Sequence, residues 1–195
     1  MTEFSRRAFI FAGATAASGA VFFGVNRAAR FALADPADVD SERGPVLVVE
    51  FGDDGTRLQS VVREKIRRSK EEWKQRLSLD SYRVTRQGWT EAPESGELAH
   101  EHSVGIFRCV CCENALFDSS TKFESGTGWP SFWQAIAPEN LYEKMDTSLG
   151  VVRREVKCTL CDAHLGHVFA DGPDPTGLRY CMNSVALKFV SRKTA

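Results

Sequence analysis

The chain has 195 residues, 43% of them hydrophobic and 26% charged, with a formal net charge of −1 at pH 7. That size and mix suit one soluble domain with an appendage and exclude a disordered, collagen-like or polytopic membrane protein. The near-neutral balance argues against a nucleic-acid partner, because duplex binding rests on a basic excess that neutralises phosphates.

The first 34 residues differ in kind from the rest. Arg6 and Arg7, in Ser5-Arg6-Arg7-Ala8-Phe9-Ile10, precede an uncharged run from Ala8 to Val25, and Ala32-Leu33-Ala34 offers the small residues a signal peptidase reads. The segment resembles a twin-arginine export signal, so cleavage before Asp35 and a periplasmic location are expected. An apolar run of about 18 residues is also near the lower limit for spanning a bilayer, and an uncleaved membrane anchor is the alternative. Residues 1–34 carry Arg6, Arg7, Arg27 and Arg30 against Glu3, so without them the balance is 21 basic to 25 acidic, or −4.

Residues 35–68 are expected to form a linker and a hairpin extension. Asp35 to Pro45 is polar and punctuated by Pro and Gly. Val46 to Phe51 and Leu58 to Val62 flank Gly52-Asp53-Asp54-Gly55, a pattern for a β-hairpin serving as an edge element. Short helices should open the main domain, expected at 69–192. Ser69-Lys70-Glu71-Glu72 is a capping box, in which the serine hydroxyl and Glu72 satisfy each other's backbone donors, and Trp73 and Leu77 then share a face. From Gly105 onward, β-rich runs such as Gly105 to Arg108 and Ser184 to Val190 alternate with Gly, Pro, Asp and Asn turns. The fold class is therefore mainly β and antiparallel.

Cys109-Val110-Cys111-Cys112 and Cys158-Thr159-Leu160-Cys161 each contain a Cys-x-x-Cys knuckle. Cys109, Cys112, Cys158 and Cys161 can close a tetrahedral site for structural Zn²⁺, because a two-residue spacer aims both thiolates at one ion. Two disulfides are the alternative in an exported protein. A redox-active Cys-x-x-Cys is a third reading, against which stands the lack of a βαβ pattern around either knuckle.

Cys181 stands apart in Leu178-Arg179-Tyr180-Cys181-Met182-Asn183-Ser184. A lone cysteine is ordinarily a small buried hydrophobe. Here Asn183 is two residues on, which in a strand puts it on the same face, and His164 and His167 lie in the approach to that strand. A thiol among imidazoles can act as a nucleophilic thiolate. His100 and His102 sit in a polar stretch and read as surface residues.

Three segments resemble the methionine-R-sulfoxide reductases of the B type: Gly126-Thr127-Gly128-Trp129-Pro130-Ser131-Phe132, Ala163-His164-Leu165-Gly166-His167-Val168-Phe169, and Gly172-Pro173-Asp174-Pro175-Thr176-Gly177 continuing through Ser184. The resemblance runs from about Ser69 to Val190 and includes both knuckles in order. It implies two antiparallel sheets in a compact domain with a structural zinc away from the active site. It also implies thiol-dependent reduction of methionine-R-sulfoxide, protein-bound or free, through a Cys181 sulfenic acid. The nucleophile falls on Cys181, the active-site histidines on His164 and His167 with His167 the preferred proton donor, the hydrogen-bonding amide on Asn183, and the indole that packs on the S-methyl group on Trp129. Expected partners are oxidised proteins or peptides and a thioredoxin-like or other external thiol that supplies electrons.

One position departs from the pattern. Many members carry a resolving cysteine where this chain has Thr127, which cannot form a disulfide. Cys111 is left over, either as a resolving thiol or as a bystander beside Cys112, and the bystander reading is preferred because a disulfide needs Cα atoms within about 7 Å. A zinc-stabilised binding module without catalysis is the competing function class. It would leave Cys181 inert and give Trp129, His167 and Asn183 no task.

Overall fold

The computed structural model describes residues 44–148 and 150–192. The export signal expected at 1–34 and nearly all of the expected linker lie outside the described residues.

The hairpin forms, with strands β1 (Pro45–Phe51) and β2 (Arg57–Glu64) paired antiparallel. Its turn closes through Gly52 N–H on Thr56 O at 3.0 Å, while the Asp54 carboxylate accepts from Thr56 N–H at 2.9 Å. Expected as an edge element, the hairpin is also pinned to the domain. Val49 is fully buried, and its N–H and C=O pair with the side-chain amide of buried Asn140 at 2.7 and 2.8 Å. The same amide donates to Ala115 O at 2.8 Å, so one side chain joins the hairpin to the β-structure behind it.

Helix α1 (Lys70–Arg76) starts at the expected capping box, with both reciprocal hydrogen bonds present. Trp73 is buried, but Leu77 is the extended cap residue that ends the helix. A second helix, α2 (Leu79–Gln87), begins at the Ser78 cap and stops at Gly88, whose positive φ of 70° suits a residue without a Cβ.

The remaining strands are β3 (Gly105–Cys109), β4 (Ala115–Asp118), β5 (Lys122–Phe123), β6 (Ser131–Phe132), β7 (Leu141–Asp146), β8 (Arg153–Cys158), β9 (His164–Phe169), β10 (Arg179–Met182) and β11 (Leu187–Ser191). They build a six-stranded sheet ordered β5-β6-β10-β9-β8-β7 and a three-stranded sheet ordered β11-β3-β4, with antiparallel pairing throughout. The two sheets share a core in which Phe117 stacks on Phe132 at 4.3 Å between centroids and Phe107 meets Phe132 edge-on at 4.9 Å. The fold is therefore mainly β with two short helices, as expected from the turn-punctuated pattern.

One local expectation changes. The run Ser184 to Val190 reads as one strand, but Ser184–Ala186 forms a 3₁₀ turn and β11 begins only at Leu187. The Ser184 and Val185 N–H groups donate to the Glu91 carboxylate rather than to a neighbouring strand.

Strand alternation positions the site. Along β10, Tyr180 and Met182 turn toward the aromatic core, where Met182 is fully buried, so Cys181 and Arg179 turn to the opposite face of the six-stranded sheet. Gly166 lies directly across from Met182, and a Cβ there would stand 2.1 Å from Cys181 O, so the close approach of β9 and β10 at Cys181 requires glycine.

Candidate active site and candidate metal centre

The two knuckles share one hydrogen-bond plan. Cys109 N–H donates to Asn114 O and its C=O accepts from Glu113 N–H at 2.8 Å each; Cys158 N–H donates to Ala163 O at 3.0 Å and its C=O accepts from Asp162 N–H at 2.9 Å. Glu113 and Asp162, the residues just after each knuckle, take positive φ values of 63° and 57° to close these turns. The four sulfurs of Cys109, Cys112, Cys158 and Cys161 lie within 4.8 Å of one another, with the cross-knuckle pairs Cys109–Cys161 and Cys112–Cys158 at 3.6 Å. Four sulfurs about 2.3 Å from a central ion at tetrahedral corners stand about 3.8 Å apart, so the cluster fits a metal such as zinc. None of the six cysteines is in a disulfide, and the cross-knuckle separations exceed the roughly 2 Å of such a bond. Arg86 donates to Cys161 O at 2.9 Å and lies 3.9 Å from Cys161 Sγ, a cation placed beside a thiolate cluster.

Cys181 is half-buried in β10, flanked by Ser131 of β6 and His167 of β9, both its direct cross-strand partners. Directly opposed residues share a face at Cβ separations of about 5 Å, so Cys181 and His167 stand side by side on one face of the sheet. Burial pushes the Cys181 thiol up, while Thr127, whose hydroxyl lies 3.8 Å from Sγ, Arg179 and Ser131 pull the other way. Arg179 is held by a two-pronged ion pair with Asp171 at 2.8 and 2.9 Å, which also keeps its guanidinium firmly charged.

Both histidines carry a carboxylate partner. His167 Nε2 meets Asp146 Oδ2 at 2.8 Å, and His164 Nδ1 meets Glu155 Oε1 at 2.7 Å. Ser148, His167 and Arg153 hold the Asp146 carboxyl well below the usual carboxylate range. Burial acts to raise Glu155, but His164 and Lys157 hold it low. Ionised carboxylates only accept, so Nε2 of His167 and Nδ1 of His164 carry the protons, which leaves His167 Nδ1 and His164 Nε2 as the free ring nitrogens. Burial also lowers the His167 pKa, against the pull of Asp146, which favours the neutral ring. His164 is 4% exposed, and its Nε2 is buried without a hydrogen-bond partner among the described residues.

Asn183 is nearly fully buried just beyond β10. Its side chain accepts from Glu91 N–H at 3.0 Å and donates to Leu165 O at 3.0 Å, so it braces the strands around Cys181. The Trp129 indole is half-buried and donates to Glu91 O at 3.2 Å. Gly128, with φ of 87°, packs so closely on Glu94 that a Cβ would come 2.9 Å from its N atom, which fixes the turn that presents the indole. Cys111 packs beside the knuckles, against the same core as Cys112, whereas the polar neighbours of Cys181 are Thr127, Ser131 and Arg179. His100 and His102 are exposed and pair with Glu94 and Glu124.

Sequence reasoning passed over Arg179, Asp171, Asp146, Glu155 and Glu91. Strand alternation could have found Arg179, two residues before Cys181 and so on its face. Asp146 and Glu155 reach the histidines only through the register of β7, β8 and β9, which no local pattern encodes.

The SelR domain family matches residues 77–191. The peptide methionine sulfoxide reductase MsrB of Herminiimonas arsenicoxydans is 53% identical over 126 residues, 65% of this chain and 92% of that protein. Those of Thioalkalivibrio sulfidiphilus and Pseudomonas fluorescens are 54% identical over 119 residues and 52% identical over 130, covering 61% and 67% of this chain and 87% and 99% of theirs.

Proposed function

The chain belongs to the SelR domain family, and on that premise we propose that it is an oxidoreductase that returns methionine-R-sulfoxide in oxidised proteins or peptides to methionine. The observation that carries the reading is the cross-strand pairing of Cys181 with His167, beside a His164 ring nitrogen that is buried and has no partner among the described residues. A buried polar atom without a partner is costly unless a ligand supplies one, and a sulfoxide oxygen is such a ligand.

The steps follow from these groups. Cys181 gives its proton to the free nitrogen of His167, and Asp146 stabilises the imidazolium that forms. The thiolate bonds to the sulfoxide sulfur, the proton passes to the oxygen, and the sulfur–oxygen bond breaks to release hydroxide, which then bonds to Cys181 Sγ as the sulfur–sulfur bond breaks and its electron pair leaves on the methionine sulfur. The net result is transfer of oxygen from the methionine sulfur to Cys181, which releases methionine and leaves a sulfenic acid. Two equivalents of an external thiol, thioredoxin-like or otherwise, then restore Cys181, with a disulfide and water as products. Thr127 stands beside Cys181 and cannot form a disulfide, so reduction is direct and Cys111 is a bystander. Trp129 walls the methyl pocket and Asn183 braces it. The reductase unit is assigned to 69–192, with structural Zn²⁺ on Cys109, Cys112, Cys158 and Cys161 holding the ends of β3 and β8 together.

Enzyme incubated with methionine-R-sulfoxide and no reductant should release one methionine per chain and leave one sulfenic acid, captured on Cys181 by dimedone and located by mass spectrometry. A Cys111–Cys181 disulfide in its place contradicts direct reduction by external thiol.

Because burial raises the Cys181 thiol, its alkylation by iodoacetamide in the resting enzyme should climb with pH through a midpoint above the ordinary value of about 8.5. Arg179 acts to lower that midpoint, so Arg179→Met moves it higher still and slows alkylation at pH 8 by about three- to tenfold. A midpoint unchanged in Arg179→Met contradicts this role.

The arginine pair and apolar run of the N-terminus support twin-arginine export to the periplasm, where the enzyme would repair exported proteins. Mass spectrometry of the exported form should begin at Asp35, and an intact Met1 would favour the retained anchor.

A further inference from the structure

The wall and the nucleophile of the site come from separate parts of the chain, and one residue outside both bonds to each. Glu91 lies in the irregular segment between α2 and β3. Its C=O accepts from the Trp129 indole N–H at 3.2 Å, and its N–H donates to Asn183 Oδ1 at 3.0 Å, two residues past Cys181. Its carboxylate accepts from Ser184 N–H at 2.5 Å and Val185 N–H at 3.0 Å, the first free donors after the nucleophile strand. The carboxylate bonds and the backbone bonds to Trp129 and Asn183 thus meet on one residue.

Neighbouring contacts leave the segment little freedom. A Cβ on Gly96 would come 2.2 Å from Ser184 Cβ and 2.8 Å from Glu91 Oε1, so the chain lies hard against both. Leu98 N–H donates to Ser184 Oγ at 2.9 Å and Glu94 N–H donates to Gly128 O at 2.8 Å, so the segment is fastened on the Cys181 side and on the Trp129 side.

We propose that Glu91 is a positioning residue that sets the gap between the Trp129 indole and the Cys181 thiol, and through it the size of the alkyl group accepted on the sulfoxide sulfur. The inference rests on the reductase reading. A carboxylate offers two acceptors to two N–H groups; glutamine keeps one acceptor and turns an NH₂ donor toward the other N–H. Glu91→Gln therefore preserves side-chain volume while releasing one fastening, and Glu91→Asp keeps both acceptors on a shorter stem.

The test compares methionine-R-sulfoxide with its S-ethyl counterpart, ethionine-R-sulfoxide, by kcat/KM. One methylene in a fitted apolar pocket is worth about 10- to 200-fold, so the parent enzyme should prefer the methyl substrate by at least about tenfold. In Glu91→Gln, KM for the methyl substrate should rise about tenfold with a smaller change in kcat, and the methyl preference should fall to about threefold or less, while Glu91→Asp lies between. A variant that only destabilises the domain would lower the active fraction and hence kcat, leaving KM and the preference in place. That outcome overturns the proposal, as does an unchanged preference in Glu91→Gln from a parent enzyme that discriminates. Absence of activity in the parent enzyme would fault the reductase reading instead.

Discussion

Cys181→Ser eliminates methionine-R-sulfoxide reduction, with turnover falling by at least about a thousandfold when methionine release is followed by chromatography with dithiothreitol as reductant. A serine hydroxyl ionises far less readily than a thiol and cannot be converted to the proposed sulfenic acid. The substitution is nearly isosteric at a half-buried site, and Ser131 and Thr127 still offer hydrogen-bond partners. Folding and metal content should therefore be retained. Residual activity within tenfold of the parent enzyme would transfer the nucleophile elsewhere, and Cys111 would be the first residue to test.

Cys158→Ser acts in the opposite manner, removing the fold before the chemistry. Cys109, Cys158 and Cys161 are all buried in the core that the two sheets share, and their knuckles terminate β3 and β8. A three-cysteine remnant binds zinc far more weakly, and structural zinc contributes on the order of 10 kcal/mol in small zinc domains. The expected result is less than one zinc per chain by elemental analysis and a Tm lower by at least about 15 °C in a domain of this size. Activity is lost with the fold, whereas Cys181→Ser loses activity with the fold intact. A Cys158→Ser protein with the parent's zinc content and Tm would remove the metal from the account. Recovery of the parent protein free of zinc with the four cysteines oxidised would do the same.

What could be read from the residues divides by range. The hairpin, the capping box and the knuckles are local devices in which a few neighbouring residues satisfy one another, and each appears where its motif stands. The second helix left a fainter trace, a serine cap at Ser78 and a glycine stop at Gly88. The 3₁₀ turn at Ser184–Ala186 was not legible, because its cause is a carboxylate 93 residues away in sequence. The site shows the same division. Cys181, His164, His167, Asn183 and Trp129 lie inside motifs carried by the family resemblance, and the structure places Cys181 across from His167. Their supports, Asp146, Glu155, Asp171 and Glu91, come from strand register and loop packing over separations no periodicity records. Asn183 illustrates both halves: it was found by its spacing from Cys181, yet its side chain is occupied by Glu91 N–H and Leu165 O.

The central claim is that this sheet face, with Cys181, the paired histidines and Trp129, reduces one epimer of a methyl sulfoxide. Its most direct test supplies the protein with N-acetylated methionine-R-sulfoxide and methionine-S-sulfoxide separately, with excess dithiothreitol, and measures the methionine formed. The account requires steady turnover of the R epimer and at least about a hundredfold less of the S epimer, whose inverted sulfur cannot place its methyl on the indole and its oxygen at the histidines together. Equal turnover of both epimers, preference for the S epimer, or no turnover of either by folded, zinc-loaded protein would contradict it.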